Sequence, residues 1–200
     1  ARTLKLKPVR RLCIVLLTCK AAFGAADAAT SLKAVEYGLP KEDIAYLSPL
    51  LLAASVLFPV ICVRWTNGPR PLVAFLAGVP LRLLLNPLTW GYLIYLKSQG
   101  RRAFFFFALL SLLREFASTL MFVSQMSFFA RIADPDFGGT YMTLLNTVAN
   151  LGGKWPPSLA LYFIDGFTTS QTDGFALELL ICSILGIVWL VIVAPIIYHL

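Results

Sequence analysis

The chain has 200 residues, of which 58% are hydrophobic and only 14% charged, and its mean hydropathy is +0.79. A soluble domain carries about 45–50% apolar and about 25% charged residues, so this composition excludes an ordinary soluble fold and points to an integral membrane protein. The net charge of +7 does not call for a nucleic-acid partner, because five of the seventeen basic residues (Arg2, Lys5, Lys7, Arg10 and Arg11) crowd into the first eleven positions. That cluster reads as a cytosolic juxtamembrane segment under the positive-inside rule. The first residue is Ala1 rather than Met, which leads us to expect a fragment or a processed product.

A membrane helix needs about 20 mostly apolar residues. Six stretches qualify: 12–35, 44–63, 72–96, 103–130, 140–163 and 175–198. The expected organisation is a basic cytosolic segment at 1–11 followed by a transmembrane domain of six helices at 12–200. The apolar run after residue 12 extends far past a signal-peptide core, so it reads as a span.

In the first span Lys20 and Asp27 lie seven residues apart, two turns on one helical face. Ala21, Ala25 and Ala29 form a small-residue row, as do Gly24 and Ala28, and such rows let helix backbones approach closely. Lys20 and Asp27 are either neutralised by neighbours and hold the bundle together, or Lys20 faces a pore and binds an anion with Asp27 as a structural or proton-coupled partner. The second span holds Pro49 and Pro59, and the third Pro80 and Pro87, which suggests kinked helices whose freed carbonyls find partners in the bundle.

Arg82 lies within the third span among Leu81, Leu83, Leu84 and Leu85. It costs at least ~2.5 kcal/mol there unless it snorkels or faces protein or water. In the fourth span Arg114 and Glu115 are adjacent, so they point in different directions and take different partners, or one lines a cavity. Gln125, eleven residues after Arg114, returns close to the same face.

The fifth span is the most polar. Thr143, Asn146, Thr147 and Asn150 recur at spacings of three and four, and Lys154 extends the stripe. Such a stripe is either interhelical glue or the lining of a watery path. Gly152-Gly153 and Pro156-Pro157 around Lys154 suggest that the helix breaks there, and broken helices mark substrate sites in transporters. Glu178 opens the sixth span and reads as a solvated first-turn acid.

The connectors at 64–70 and 131–136 belong on the side of the basic N-terminal cluster, and those at 37–43 and 164–174 on the other. Lys97, Arg101 and Arg102 run against this pattern, but the N-terminal cluster outweighs them and both ends are expected in the cytosol. Taken together, Lys20, Arg82, Arg114 and Lys154 outnumber Asp27 and Glu115, and a cavity of that balance favours an anionic solute carrying phosphates or carboxylates.

Several chemistries find no support. Gly153-Lys154 is followed by Trp155, with no Gly six positions before Lys154, so the phosphate-loop pattern fails. The single histidine, His199, offers neither a metal site nor a triad, and Cys13, Cys19, Cys62 and Cys182 all sit in apolar segments at spacings that suit neither zinc nor a disulfide framework. Nothing in the residues argues for an enzyme.

The stretch Met126-Ser-Phe-Phe-Ala-Arg-Ile-Ala-Asp-Pro-Asp-Phe-Gly-Gly-Thr-Tyr-Met-Thr-Leu-Leu-Asn-Thr-Val-Ala-Asn-Leu-Gly-Gly-Lys-Trp-Pro156 resembles the signature region of the acetyl-coenzyme A transporter family of the endoplasmic reticulum. Lys20 to Lys33, Gly38-Leu-Pro-Lys-Glu42, Gly68-Pro-Arg-Pro71 and Pro80-Leu-Arg-Leu-Leu84 are similar to that family too, in order along the chain. The resemblance implies an all-α major-facilitator fold of about twelve helices, of which this chain supplies the C-terminal six as a 3+3 inverted repeat.

It further implies movement of acetyl-coenzyme A from the cytosol into the lumen of the endoplasmic reticulum by a multi-pass membrane protein without a cofactor. The residues placed along the route are Lys20, Asp27, Arg82, Arg114, Tyr141, Asn146, Asn150 and Lys154. Implied partners are the solute, the bilayer and the N-terminal six-helix half, and a homo-oligomer stays open. Two readings compete: a permease for another anion such as a muropeptide, and a membrane scaffold that transports nothing. Lys154 departs from the family pattern, where a polar uncharged residue is expected. The loop between the last two helices is shorter than expected and lacks cysteine.

Overall fold

The computed structural model describes residues 7–99, 104–133, 138–168 and 173–198. Arg2, Lys5, Arg101, Arg102, the 134–137 end of the second basic connector and His199 lie outside the described residues. Seven α-helices follow in order: α1 (Lys7–Thr18), α2 (Gly24–Glu36), α3 (Lys41–Thr66), α4 (Pro71–Gln99), α5 (Phe104–Ile132), α6 (Gly138–Phe167) and α7 (Gly174–Tyr198). A single 3₁₀ turn, Ala21–Phe23, joins α1 to α2, and the described residues contain no strand.

Five segments are long and apolar enough to cross a membrane: Val9–Glu36, Lys41–Thr66, Pro71–Lys97, Phe104–Ile132 and Gly174–Tyr198. The chain is therefore an all-helical, multi-pass membrane protein. At 30 residues α6 is also long enough, but it is not among the five. Its Thr, Asn and Lys stripe, with five glycines and two prolines, lowers its hydropathy.

Two sequence expectations change here. The break falls in the first span, where α1 ends at Thr18 and α2 begins at Gly24, and not beside Lys154. Through Gly152, Gly153, Pro156 and Pro157 α6 runs on as one continuous helix. A proline removes only its own amide donor and crowds one carbonyl, and a neighbouring packed helix holds such a segment straight enough to continue.

α5 packs along α3 and α4, α2 and the turn lie against α6 and α7, and α1 lies against α6. The alanine and glycine rows do what their size permits. A Cβ on Gly24 would stand 2.8 Å from the Pro156 carbonyl oxygen, and one on Gly152 would stand 2.2 Å from the Leu16 oxygen. Ala25, Ala26 and Ala29 are fully buried in the same seam. The core divides into three clusters, centred on Leu93, Leu96 and Phe175 at one end, on Phe23, Phe75 and Val79 at the middle, and on Leu16, Phe129 and Leu145 at the other end.

α1 starts and α7 finishes on the same side as the α3–α4 connector and the end of α5. Arg131 Nη2 donates to the Asn67 carbonyl at 3.1 Å, and Arg70, Arg131 and Tyr198 surround one surface hollow. On the opposite side, Lys33 pairs with Asp173 at 3.2 Å and with Glu36 at 2.9 Å, and the Tyr37 hydroxyl donates to Asp173. Asp173 also accepts from the Phe175 amide at 3.0 Å, so this carboxylate ties the end of α2 to the start of α7.

Burial alone would push Asp173 up, but the Tyr37 hydroxyl, the Phe175 amide and Lys33 more than offset it, and the carboxyl is held below its usual value. Tyr37 is pushed above its usual value by burial and by the neighbouring Asp173.

Gly152→Val should lower the melting temperature in detergent by several degrees, because overpacking costs about 1–3 kcal/mol. Gly91→Ala, where an added Cβ meets nothing within 4 Å, should leave it unchanged or raise it. A depressed carboxyl contributes stability above its unfolded value, near about 3.9, and loses it as pH falls through the folded value. Asp173→Asn should therefore lower the melting temperature at neutral pH, with the deficit closing as pH drops below about 4. Thermal scans of both proteins at neutral and acid pH check this.

Candidate functional site

Two adjoining cavities open between α2, α3, α4 and α5. The larger, about 420 Å³, is lined by Asp27, Arg82, Arg114 and Glu115 with Ser48 and Ser111. The smaller, about 280 Å³, holds Lys20, Gln125 and Ser55 and shares Arg82, Glu115 and Ser118 with the larger. Helical periodicity explains the sharing: Ser111, Arg114, Glu115, Ser118, Thr119, Phe122 and Gln125 recur on one face of α5 at spacings of three and four. The grouping of Arg114 with Gln125 follows from the same periodicity.

Asp27 pairs with Arg82 across the α2–α4 seam rather than with Lys20 on its own segment. The sequence expectation of a Lys20–Asp27 face assumed one unbroken helix, and the turn at Ala21–Phe23 rotates one residue away from the other. Arg82 is buried, and its guanidinium lies 4.4 Å from the Phe23 ring centroid. It is thus held by a carboxylate and a π-face, and does not snorkel. Lys20 sits beside the break, with its Nζ 3.0 Å from where a Cβ on Gly153 would stand, and has no hydrogen-bond or ion-pair partner among the described residues.

Arg114 donates to the Ala26 carbonyl and the Thr30 hydroxyl, both at 3.1 Å, and to the Thr89 hydroxyl at 2.9 Å. All three acceptors are neutral, so the charge on Arg114 is solvated by dipoles and not cancelled by an anion. The break itself is supported by side chains from its neighbours. Trp155 Nε1 donates to the Leu17 carbonyl at 2.8 Å, Trp189 Nε1 to the Thr18 hydroxyl at 2.8 Å, and Asn86 Nδ2 to the Ala22 carbonyl at 3.3 Å. Asn86 and the two tryptophans escaped the sequence reading. The signal that could have found them is a polar group on an otherwise apolar helical face.

The structure separates the expected site residues into two groups. Lys20, Asp27, Arg82 and Arg114 come together at the cavities. Tyr141, Asn146, Asn150 and Lys154 line neither. Tyr141 packs against the Leu16–Phe129 cluster, Asn146 is half-buried, and Asn150 and Lys154 are exposed. Thr143 and Thr147 return their hydroxyls to the Gly139 and Thr143 carbonyls of α6, so the stripe faces outward from the described bundle. Glu178 is a further correction. It is buried in the second turn of α7 and accepts from Cys182 Sγ at 3.7 Å, because α7 starts four residues before it and that turn lies against the α2 seam.

A family model described as acetyl-coenzyme A transporter 1 matches residues 1–75 and 85–188. The chain belongs to that family. The acetyl-coenzyme A transporter 1 family is one of transporters and not of enzymes.

An uncharacterised membrane protein of Saccharomyces cerevisiae is 33% identical over 202 aligned residues, covering 85% of this chain and 36% of the yeast protein. An uncharacterised protein of Schizosaccharomyces pombe is 36% identical over 174 residues, covering 84% of this chain and 33% of that protein. The chain thus spans about a third of the length of these curated relatives. No solved structure matches it.

Asp27→Ala should destabilise this family member by about 1.5–3 kcal/mol, because it removes the charged partner of Arg82 while Asp27 itself is part-exposed. The double variant Asp27→Ala with Arg82→Met should recover a large part of that loss. A double-mutant cycle of denaturation free energies measures the coupling.

Proposed function

We propose that the protein moves acetyl-coenzyme A across the endoplasmic reticulum membrane, from cytosol to lumen, by alternating access. The observation that carries this reading is the family match over most of the chain. The cavities add a chemical reason, since Lys20, Arg82 and Arg114 face two carboxylates, Asp27 and Glu115, leaving a surplus of positive charge. Phosphate groups suit such a wall. Lys20, free of any described partner, supplies a point charge, while Arg82 and Arg114 are held in place by Asp27 and by neutral oxygens. The break between α1 and α2 puts Lys20 at the end of a half-helix, the kind of place where transporters put their binding groups.

In this reading the chain is the C-terminal six-helix half of a major-facilitator fold, with α1 and α2 together as its first span and α6 as its fifth. Both ends lie in the cytosol. The outward stripe of Thr143, Thr147, Asn150 and Lys154 meets the other half, which the greater length of the relatives leaves room for. Polar groups on a spanning helix favour such a protein-facing position over lipid. The assignment gives Asn150 and Lys154 a place at the rim of the route between halves, and Tyr141 and Asn146 a packing role.

Proteoliposomes holding the full-length protein should take up labelled acetyl-coenzyme A. Lys20→Gln should reduce uptake about tenfold or more, in line with the loss of one charge-assisted contact of about 1.5–3 kcal/mol. Absence of uptake by the unaltered protein would overturn the reading in favour of a scaffold. Uptake that an unrelated muropeptide abolishes at equal concentration would reassign the solute.

A further inference from the structure

The end of the bundle where α1 begins and α7 finishes is basic. Its described residues carry Arg10, Arg11, Arg64, Arg70 and Arg131 and no acid, whereas Glu36, Glu42, Asp43, Asp165 and Asp173 all fall at the other end. Asp134 and Asp136, in the connector outside the described residues, are outnumbered by those arginines.

A hollow of about 230 Å³ opens at this basic end, between the start of α4 and the ends of α5 and α7. Arg70, Arg131 and Tyr198 are its exposed polar residues, and Leu76, Phe128 and Ile197 form the buried apolar part of its wall. Three membrane-length segments stop at this level, one beginning at Pro71, one ending at Ile132 and one ending at Tyr198. The arginines therefore stand at headgroup height, while Leu76, five residues into α4, lies about 7 Å deeper, at the level of hydrocarbon.

Neither arginine has an ion-pair partner among the described residues. Arg131 gives Nη2 to the Asn67 carbonyl at 3.1 Å, which leaves its other donors for a ligand. The Arg70 side chain makes no hydrogen bond among the described residues. Guanidinium groups suit a phosphate, which accepts their forked contacts.

Below Tyr198 the surface of α7 continues as an exposed aliphatic stripe. Val191, Ile187 and Ile184 follow Tyr198 at spacings of seven, four and three, so they share its face. The stripe is about 21 Å long at 1.5 Å per residue. One leaflet supplies about 15 Å of hydrocarbon, so the stripe spans the full depth of an acyl chain.

We propose that this hollow binds an anionic phospholipid, with its phosphate between Arg70 and Arg131, its glycerol over Leu76, Phe128 and Ile197, and an acyl chain along the α7 stripe. A soluble phosphate compound would engage the arginines and leave the apolar wall and the stripe uncovered. A neutral lipid would cover the apolar wall and leave the arginines without a counter-charge. Only a ligand with both parts matches both halves of the surface. Tyr198 sits at the boundary between them, where aromatic rings favour the membrane interface. The site is separate from the solute cavities and does not depend on acetyl-coenzyme A. Only the leaflet rests on the orientation proposed above, in which the basic end faces the cytosol, whose leaflet carries the anionic lipids.

The test titrates the full-length protein in detergent with phosphatidylserine, with phosphatidylcholine and with the deacylated headgroup glycerophosphoserine, and counts bound lipid by native mass spectrometry. The expected result is one retained phosphatidylserine, bound about tenfold or more tighter than phosphatidylcholine. Arg70→Gln and Arg131→Gln should each weaken it about fivefold, the effect of one basic residue at an anionic surface. Arg10→Gln, exposed at the same end but outside the hollow, should change it less than about twofold. Glycerophosphoserine at equal concentration should not displace the lipid.

Equal retention of the two lipids would overturn the proposal, and so would a loss in Arg10→Gln as large as that in Arg70→Gln, which marks diffuse surface charge. Displacement by glycerophosphoserine would reassign the hollow to free phosphate compounds. No retained lipid at all would show that another part of the full-length protein covers it. If Arg131→Gln does not fold for want of its Asn67 contact, Arg70→Gln decides. Uptake of acetyl-coenzyme A without a retained phosphatidylserine removes the lipid site alone, and retained phosphatidylserine without uptake removes the proposed solute alone.

Discussion

The bundle depends on a backbone break that a bilayer does not tolerate unaided. Between Thr18 and Gly24 the first span loses its regular α-helical ladder. A carbonyl left without a donor in hydrocarbon costs several kcal/mol. Two of the helices around the break bond its carbonyls, and the other two bond beside it. α6 brings the Trp155 indole to Leu17 and a glycine against Leu16, α7 brings Trp189 to Thr18, α4 brings Asn86 to Ala22, and α5 brings Arg114 to Ala26. Four long helices are thereby fixed against the short turn and the helix ends that flank it. The Gly-Gly-Lys-Trp sequence of α6, which reads as a break of its own, serves as the brace for a break elsewhere.

The same arrangement sets the electrostatics. Turning the chain at Ala21–Phe23 separates Lys20 from Asp27, and hands Asp27 to Arg82. One cation is spent on that pair and on the Phe23 ring. A second, Arg114, is held by neutral oxygens, which fix its position without cancelling its charge. The third, Lys20, is left free at the cavity wall. Structural support and charge for a solute come from the same few residues, so changes meant to probe binding at Arg82 or Arg114 also disturb packing.

Much of this was legible beforehand because bilayer physics writes itself into composition. Apolar runs of membrane length, prolines within them, small-residue rows in the first span and charges at Arg82, Arg114 and Lys20 are all one-dimensional signals. The alanine and glycine rows forecast close approach, and Gly24 against Pro156 is that approach. The polar stripe of α6 was also visible as a stripe, but periodicity says only that residues share a face. It does not say which way the face points, and in the folded chain it points away from the cavity, leaving Asn150 and Lys154 exposed.

The sequence by itself determined a helical membrane protein, its family, and a stock of costly buried charges richer in cations than anions. Those properties follow from hydrophobicity and residue identity, which need no partner to be defined. Only the tertiary structure decided where the first span breaks, which cation Asp27 neutralises, and that Glu115 rather than Lys154 lines the cavity. These are choices between partners brought from distant parts of the chain. The energies that settle them, a paired charge or a satisfied carbonyl, exist only once the helices have met.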